Sequence, residues 1–215
     1  MVRPAGWVRD GTMAGRPLVI LAHGAGAPLD SAFMAGTAAG LVERGLCVAR
    51  FNFPYMEQRV REGSRRPPDR APRLLDAWRA MLDIATRWRN RGPIVAAGKS
   101  MGGRMASMLL AEGRAPEVVG AVYLGYPLHP SGKPEKLRAD HLPDVPVPQL
   151  FLSGTKDPLC DLRRLRPVLR KLGDRARLVT VKGGDHSLAV RRKEPMKGSD
   201  AWLDEMAGFV RGVAG

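Results

Sequence analysis

Short apolar runs that alternate with longer helical patterns restrict the fold of this chain more than any other feature of its sequence. The apolar runs are rich in β-branched residues and predict strands at residues 18–22, 46–51, 94–97, 118–124, 149–153 and 177–181. Helical spacing predicts helices between and after them, at residues 31–44, 74–88, 100–112, 162–172 and 200–213. Strands joined by helical crossovers pair in parallel, and helices then cover both faces of the sheet.

This pattern predicts a three-layer α/β fold with a mostly parallel sheet of about six or seven strands. With 215 residues, the chain fits a single domain that spans residues 1–215. No strand is predicted before residue 18, a basic and proline-marked stretch at residues 59–73 predicts a loop, and a proline-rich connector occupies residues 126–148. Ligands bind at the carboxyl ends of the strands in such sheets, so the residues that follow the strands are the candidates for a functional site.

Composition limits the classes of protein to which the chain can belong. It has no signal-peptide pattern and no apolar segment of the roughly 20 residues that a membrane-spanning helix needs, so we expect a cytoplasmic protein without a membrane partner. The 2 cysteines, Cys47 and Cys160, exclude a disulfide framework, and we expect both to be buried thiols.

A basic excess gives a net charge of +14, with clusters at residues 59–73, 163–171 and 191–193. An arginine-rich composition typical of a GC-rich genome, and the steering of an anionic substrate, are the two main interpretations. Nucleic acid binding is a weaker third, because no aromatic residues interleave with the basic runs and no nucleic-acid motif is present. We therefore expect no nucleic-acid partner.

A candidate nucleophile follows the third predicted strand. Residues 98–102 read Gly-Lys-Ser-Met-Gly, which matches G-x-S-x-G between a strand and a helix. This placement predicts a sharp turn that exposes the hydroxyl group of Ser100 above the sheet. The same residues resemble the end of a phosphate-binding P-loop, but Pro93 stands where that motif needs its first glycine. We therefore predict that Ser100 is a nucleophile, with a simple helix N-cap as the alternative role.

Two later strands end in the residue types that activate a serine. Asp157 lies in a turn after the fifth predicted strand, and His186 lies in a glycine-rich loop after the sixth. The order Ser100, Asp157, His186 is the order of nucleophile, acid and base in α/β-hydrolases. An ordinary turn aspartate and a surface histidine are the alternatives. The separations of 57 and 29 residues leave room for about one crossover unit between each pair, so three side chains at strand ends predict a catalytic triad.

Acyl transfer also needs two N–H donors for the oxyanion of the transition state. We predict the backbone N–H of Met101, directly after the serine, as the first donor. The second is predicted in the loop after the first strand, at Ala25, with Gly26 as the other candidate.

The remaining polar residues near the strand ends receive structural interpretations. We expect His23 to be structural, Asp161 to cap the helix that follows it, and Asp185 to shape its loop. His129 and His141 lie in the proline-rich connector and are predicted to be solvated, with lining of the site mouth as the alternative.

Six sequence blocks surround these residues, at 21–30 (LAHGAGAPLD), 50–55 (RFNFPY), 98–107 (GKSMGGRMAS), 124–138 (LGYPLHPSGKPEKLR), 153–159 (SGTKDPL) and 183–188 (GGDHSL). Through them the chain resembles the α/β-hydrolase superfamily. It is most similar to a small bacterial branch related to dienelactone-hydrolase-like proteins and to testis-expressed and NSL-complex hydrolase-like proteins. The resemblance implies a serine hydrolase without a large cap domain, with Ser100, Asp157 and His186 as its triad. Dienelactone hydrolases are known for a cysteine nucleophile, so their substrate is not carried over.

These residues predict a serine hydrolase that cleaves a carboxylic ester or thioester with a small or medium acyl group, through an acyl-enzyme. Peptide hydrolysis uses the same chemistry and stays open. We expect no metal and no organic cofactor, because the triad and the backbone donors supply every group that the reaction needs. The alternative function is a catalytically silent, hydrolase-like scaffold that binds a partner protein.

Overall fold

The computed structural model describes residues 6–89, 91–190 and 201–215. The basic cluster at 191–193 and the predicted helix start at residue 200 lie outside them. The described strands are β1 (Trp7–Asp10), β2 (Leu18–Ala22), β3 (Cys47–Phe51), β4 (Ile94–Lys99), β5 (Val118–Leu124), β6 (Gln149–Gly154) and β7 (Ala176–Val181). The described helices are α1 (Ala32–Glu43), α2 (Pro54–Glu62), α3 (Ala71–Thr86), α4 (Met101–Ala111), α5 (Leu162–Leu172) and α6 (Ala201–Ala214).

The strands form one sheet in the order β1-β3-β2-β4-β5-β6-β7. β1 runs antiparallel to β3, and every other neighbouring pair is parallel. Helices α1 and α6 pack on one face, and α2 to α5 pack on the other. Because both faces are covered, the central strands are buried along their whole length and need continuous apolar runs. The predicted three-layer, mostly parallel fold is confirmed.

Strand β1 was not predicted, because its sequence carries no apolar run. Only two of its four residues, Trp7 and Val8, are apolar, and both are exposed. The strand is defined by pairing with β3, in which Trp7 lies opposite Phe51, and by the ring of Trp7 packing against Trp88 at 4.9 Å between centroids. A partly buried ion pair between Arg50 of β3 and Asp10 at 2.7 Å fixes its other end.

The prediction of a loop over residues 59–73 is wrong at both ends. Helix α2 extends to Glu62, because Pro54 occupies its first turn and Gly63, with φ of +63°, ends it. Helix α3 already begins at Ala71, with Pro72 in its first turn. Pro54 and Pro72 therefore start helices rather than interrupt them.

Three further expectations about the fold can be compared with the structure. Cys47 and Cys160 are buried free thiols, as predicted. The described residues 125–148, between β5 and β6, contain only a short 3-10 turn at Leu142–Asp144 and form no large cap domain. Among the described helices, none has the length and apolar character to span a membrane.

Candidate active site

Ser100 lies in a strained turn between β4 and α4. Its backbone has φ of +49° and ψ of −115°, a combination that costs a non-glycine residue free energy and that holds the side chain at a fixed angle. Neighbouring glycines permit the turn, since a Cβ on Gly102 would lie 2.6 Å from the carbonyl oxygen of Ala22. The N–H of Ser100 donates to the carbonyl of Leu124 at 2.9 Å, which ties the turn to β5.

The side chains of Ser100, His186 and Asp157 form a hydrogen-bonded series. Nε2 of His186 lies 2.9 Å from Oγ of Ser100, and Nδ1 lies 2.8 Å from Oδ2 of Asp157. The Asp157 side chain is fully buried, and its Oδ1 also accepts the N–H of Leu159 at 2.8 Å. Because Asp157 accepts from Nδ1–H, Nε2 of the neutral ring is left to accept a proton from the serine hydroxyl. The structure thus brings together the three residues that the sequence places at strand ends.

The loop that carries His186 is fastened to the loop that carries Asp157. The N–H of Lys156 donates to Gly184 at 2.8 Å, and the N–H of Gly183 donates to Oγ1 of Thr155 at 2.8 Å. Asp185 accepts the N–H groups of Ser187 and Ala189 at 2.7 and 3.1 Å, which shapes the histidine loop as predicted. These hydrogen bonds hold the loop of the acid and the loop of the histidine against each other.

The loop after β2 holds the two residues predicted to contain the second oxyanion donor. Ala25 and Gly26 are exposed on the wall of the cavity that also contains Ser100. The hydroxyl of Tyr55 donates to the carbonyl of Ala25 at 3.1 Å. Because this bond uses the carbonyl oxygen of Ala25, it holds the loop in place without using the N–H of Ala25. Met101 begins α4, so its N–H lies at the positive end of the helix dipole.

His23 connects this loop to the one after β3, as its predicted structural role requires. Its Nδ1 bonds the carbonyl of Gly24 at 2.6 Å, and its Nε2 accepts the N–H of Phe53 at 3.0 Å. Burial lowers the pKa of His23 to about 4, so the ring is neutral at pH 7 and can accept at Nε2.

A cavity of about 370 Å³ opens at Ser100. Its walls are the loop at residues 24–27, the side chains of Phe33 and Met34 from α1, and Leu159. Ser100 and His186 stand together in this lining. An apolar hollow with a few polar groups on one side is the usual form of a small-molecule site.

Lys99 is a site residue that the sequence analysis missed. It is only 8% exposed, lines the cavity, donates from Nζ to the backbone carbonyl of His186, and lies 5.5 Å from the ring centre of Phe33. Burial lowers its pKa to about 8, and the charges of Asp157 and Asp185 partly oppose that shift. The sequence carries a signal for it, namely a lysine that ends an otherwise apolar strand next to the serine.

His129 and His141 correct another prediction, because neither is a solvated loop residue. His129 is 4% exposed, and its Nε2 accepts the N–H of Asp161 at 3.4 Å. His141 is half-buried, with Nε2 at 2.7 Å from Oγ of Ser107 on α4. The connector folds back over α4 and α5, which its proline content does not reveal. Asp161 caps α5 as predicted, accepting the N–H of Arg163 at 2.9 Å.

Two further features of the described residues bear on possible ligands. No group of three or more His, Cys, Asp or Glu side chains lies close enough together to hold a metal ion in this part of the chain. The basic cluster of α5 lies outside the Ser100 cavity, where Arg163, Arg166 and Arg170 line a separate groove of about 700 Å³.

Comparisons with known proteins agree with the fold described above. A family model described as an alpha/beta hydrolase domain matches residues 15–213. Dienelactone hydrolase from Anabaena variabilis superposes with a TM-score of 0.73 at 21% identity, covering 96% of this chain and 90% of that one. Est1E from Butyrivibrio proteoclasticus gives 0.71 at 15% identity, covering 96% and 93%. A serine hydrolase without lid from Xanthomonas campestris gives 0.66 at 20% identity, covering 95% and 83%. At these identities the structural likeness shows the fold alone.

Proposed function

Because this chain belongs to the α/β-hydrolase family, we propose that it is a serine hydrolase that cleaves carboxylic esters or thioesters of small or medium acyl groups. The observation that carries the proposal is the hydrogen-bonded series of Ser100, His186 and Asp157 beside a cavity. On this proposal the partner is a small molecule in the cytoplasm, rather than a nucleic acid or a membrane, and no metal or organic cofactor takes part.

In the proposed reaction, Ser100 gives its hydroxyl proton to Nε2 of His186 as its Oγ bonds to the carbonyl carbon of the substrate. Asp157 keeps its hydrogen bond to Nδ1–H and stabilises the imidazolium that forms. The imidazolium then donates its Nε2 proton to the departing alcohol or thiol, and the acyl group stays on Ser100. A water molecule, deprotonated by His186, attacks the acyl group, releases the acid and restores the serine.

The oxyanion of each tetrahedral intermediate would accept hydrogen bonds from the N–H groups of Met101 and Ala25. Two observations support this assignment. Met101 starts α4 directly after Ser100, and the hydroxyl of Tyr55 holds the loop through the carbonyl of Ala25. Removal of one such donor costs about 3–4 kcal/mol of transition-state stabilisation in enzymes of this kind.

Labelling with a fluorophosphonate probe tests the proposal directly. The probe forms an Oγ–P bond and releases fluoride only when the serine is activated. We expect one adduct per chain at Ser100, none in Ser100→Ala, and labelling slowed about 100-fold or more in His186→Ala. Ser131→Ala, which removes an exposed serine of the connector, serves as the matched control and keeps the adduct.

The same experiment can overturn the proposal. A folded chain that forms no adduct at Ser100, and that hydrolyses neither para-nitrophenyl acetate nor an acetyl thioester, would contradict the hydrolase function. The alternative of a hydrolase-like binding scaffold would then be preferred, and a pull-down of partner proteins would follow.

A further inference from the structure

The ammonium group of Lys99 is a buried positive charge in the wall of the cavity that contains Ser100. One of its three N–H donors is used by the backbone carbonyl of His186, and the ring of Phe33 lies on another side. These two contacts hold the ammonium in one position, but neither of them supplies a negative charge.

Among the described residues, no carboxylate neutralises this charge directly. Within the described ranges 6–89, 91–190 and 201–215, no carboxylate oxygen lies within the 4.0 Å ion-pair distance of Nζ. The two nearest acids are engaged elsewhere: Asp157 with His186 and Leu159, and Asp185 with the N–H groups of its own loop. A buried ammonium without a counter-ion is unfavourable, and a ligand anion would relieve that cost.

The charge of Lys99 contrasts with the rest of the described cavity lining, which is mostly uncharged. The loop at residues 24–27, Phe33, Met34 and Leu159 carry no charge, and His186 is the second titratable side chain in the wall. A neutral ester would gain nothing from Lys99. An anion placed against it would bind with little competition from water, because Lys99 is almost fully buried.

We propose that the ester substrate carries an anionic group, and that Lys99 binds this group while the ester carbonyl lies at Ser100. This inference rests on the proposed hydrolase function and names its substrate class. Lys99 is then the specificity-determining residue of the site. Its hydrogen bond to the carbonyl of His186 keeps the ammonium beside the reacting serine.

Two pairs of matched esters test the inference. In the first pair the charge is on the acyl side, with para-nitrophenyl hydrogen glutarate compared with the corresponding primary amide. In the second the charge is on the leaving side, with para-acetoxybenzoate compared with para-acetoxybenzamide. For at least one pair, we expect the native chain to give a kcat/KM about 10- to 100-fold higher for the anionic ester, as one charge-assisted hydrogen bond permits.

Variants at position 99 assign that preference to its source. Lys99→Met should lower kcat/KM for the anionic ester about 10- to 100-fold more than for the neutral amide, so that the preference for the anion is lost, whereas Lys99→Arg should retain part of that preference. Lys182→Met, which removes an exposed lysine at the end of β7, is the matched control and should change neither value. Fluorophosphonate labelling of Lys99→Met reports whether the variant still folds with an active Ser100.

The pH dependence gives an independent measurement. The anion preference should be highest well below pH 8 and decline as the pH rises through 8, since the pKa of Lys99 is about 8 and the neutral amine attracts an anion weakly. The titratable groups that face this ammonium are Asp157, Asp185 and His186. The decline should be absent in Lys99→Met.

Each outcome decides the inference. Equal kcat/KM for both members of both pairs, or an equal fall for neutral and anionic esters in Lys99→Met, would show that Lys99 only positions the His186 loop. Either result contradicts the inference and leaves the hydrolase function intact. Absence of both turnover and Ser100 labelling in the native chain contradicts the proposed function itself.

Discussion

Two serine–histidine pairs lie on the same helix, and only one of them has the surroundings of a nucleophile. Ser100 precedes α4 and lies 2.9 Å from His186, while Ser107 lies two turns further along and is 2.7 Å from His141. By distance alone, the second pair is the better one. The distance between a hydroxyl and an imidazole is therefore not sufficient to identify a nucleophile.

The direction of the hydrogen bond separates the two pairs. Ser107 donates its hydroxyl proton to the carbonyl of Arg104 at 2.8 Å, so it accepts from Nε2–H of His141. In the other pair, Nδ1–H of His186 donates a hydrogen bond to Asp157. Nε2 of that ring then carries no proton and can accept one from Ser100. A base that already holds a proton on the nitrogen facing the serine cannot remove another.

Access and backbone geometry differ as well. Ser107 belongs to α4 and is completely buried, whereas Ser100 lies in a strained turn and lines the cavity. An acid bound to the histidine, the ring tautomer that this acid selects and access from a cavity therefore distinguish the first pair from the second.

The largest expected effect comes from exchanging the two serines for alanine. Ser100→Ala should lower kcat/KM for ester hydrolysis by about 10⁴-fold or more, because the nucleophile is lost. Ser107→Ala should keep kcat/KM within about threefold, since its hydroxyl bonds within the helix and to His141 rather than to the residues beside Ser100. Steady-state kinetics on one neutral ester measures both. Similar losses of kcat/KM in the two variants would contradict the prediction that the two serines have different roles.

The next largest effect is expected at Asp157, the acid bound to His186, which has no counterpart in the described contacts of Ser107 and His141. Asp157→Asn should lower kcat by about 10³- to 10⁴-fold, because an amide in that place no longer selects the productive tautomer of His186. Asp144→Asn, which changes an exposed carboxylate in the turn beside His141, is the matched control and should leave kcat unchanged. A full kcat in Asp157→Asn, with the chain still folded, would remove Asp157 from the mechanism.

The smallest effect is on stability and belongs to the second pair. Burial and the nearby Arg104 lower the pKa of His141 below its ordinary value of 6.5. The unfolded chain therefore binds a proton there more readily, and the free energy of unfolding falls as the pH drops below 6.5. His141→Gln should reduce this fall by at most about 1.4 kcal/mol per pH unit and leave kcat unchanged.

Urea unfolding at pH 7 and pH 5 measures that slope in both chains. His23, whose pKa is also lowered, contributes with the same sign and is present in both, so it cancels in the comparison. An identical pH dependence in the native chain and the variant would mean that His141 takes up its proton equally well when folded.

The sequence predicted more of the first pair than of the second. Ser100, Asp157 and His186 each follow an apolar run, and parallel strands bring such positions to one edge of the sheet. The structure places the three side chains in hydrogen-bond contact, while their catalytic roles stay a prediction. His141 was expected in solvent, because nothing near it in the chain indicates that the connector folds back onto α4.

What the sequence by itself determined is local: six of the seven strands, the glycine-framed turn at Ser100 and the cap of α5 by Asp161. Each depends on residues only a few positions apart, whose backbone preferences and apolar pattern are sufficient. Tertiary structure alone decided the pairing of β1 with β3, the burial of His129 and His141, and the position of Lys99 behind His186. These features depend on contacts between residues from about 30 to almost 90 positions apart, where side-chain packing rather than local preference selects the neighbour.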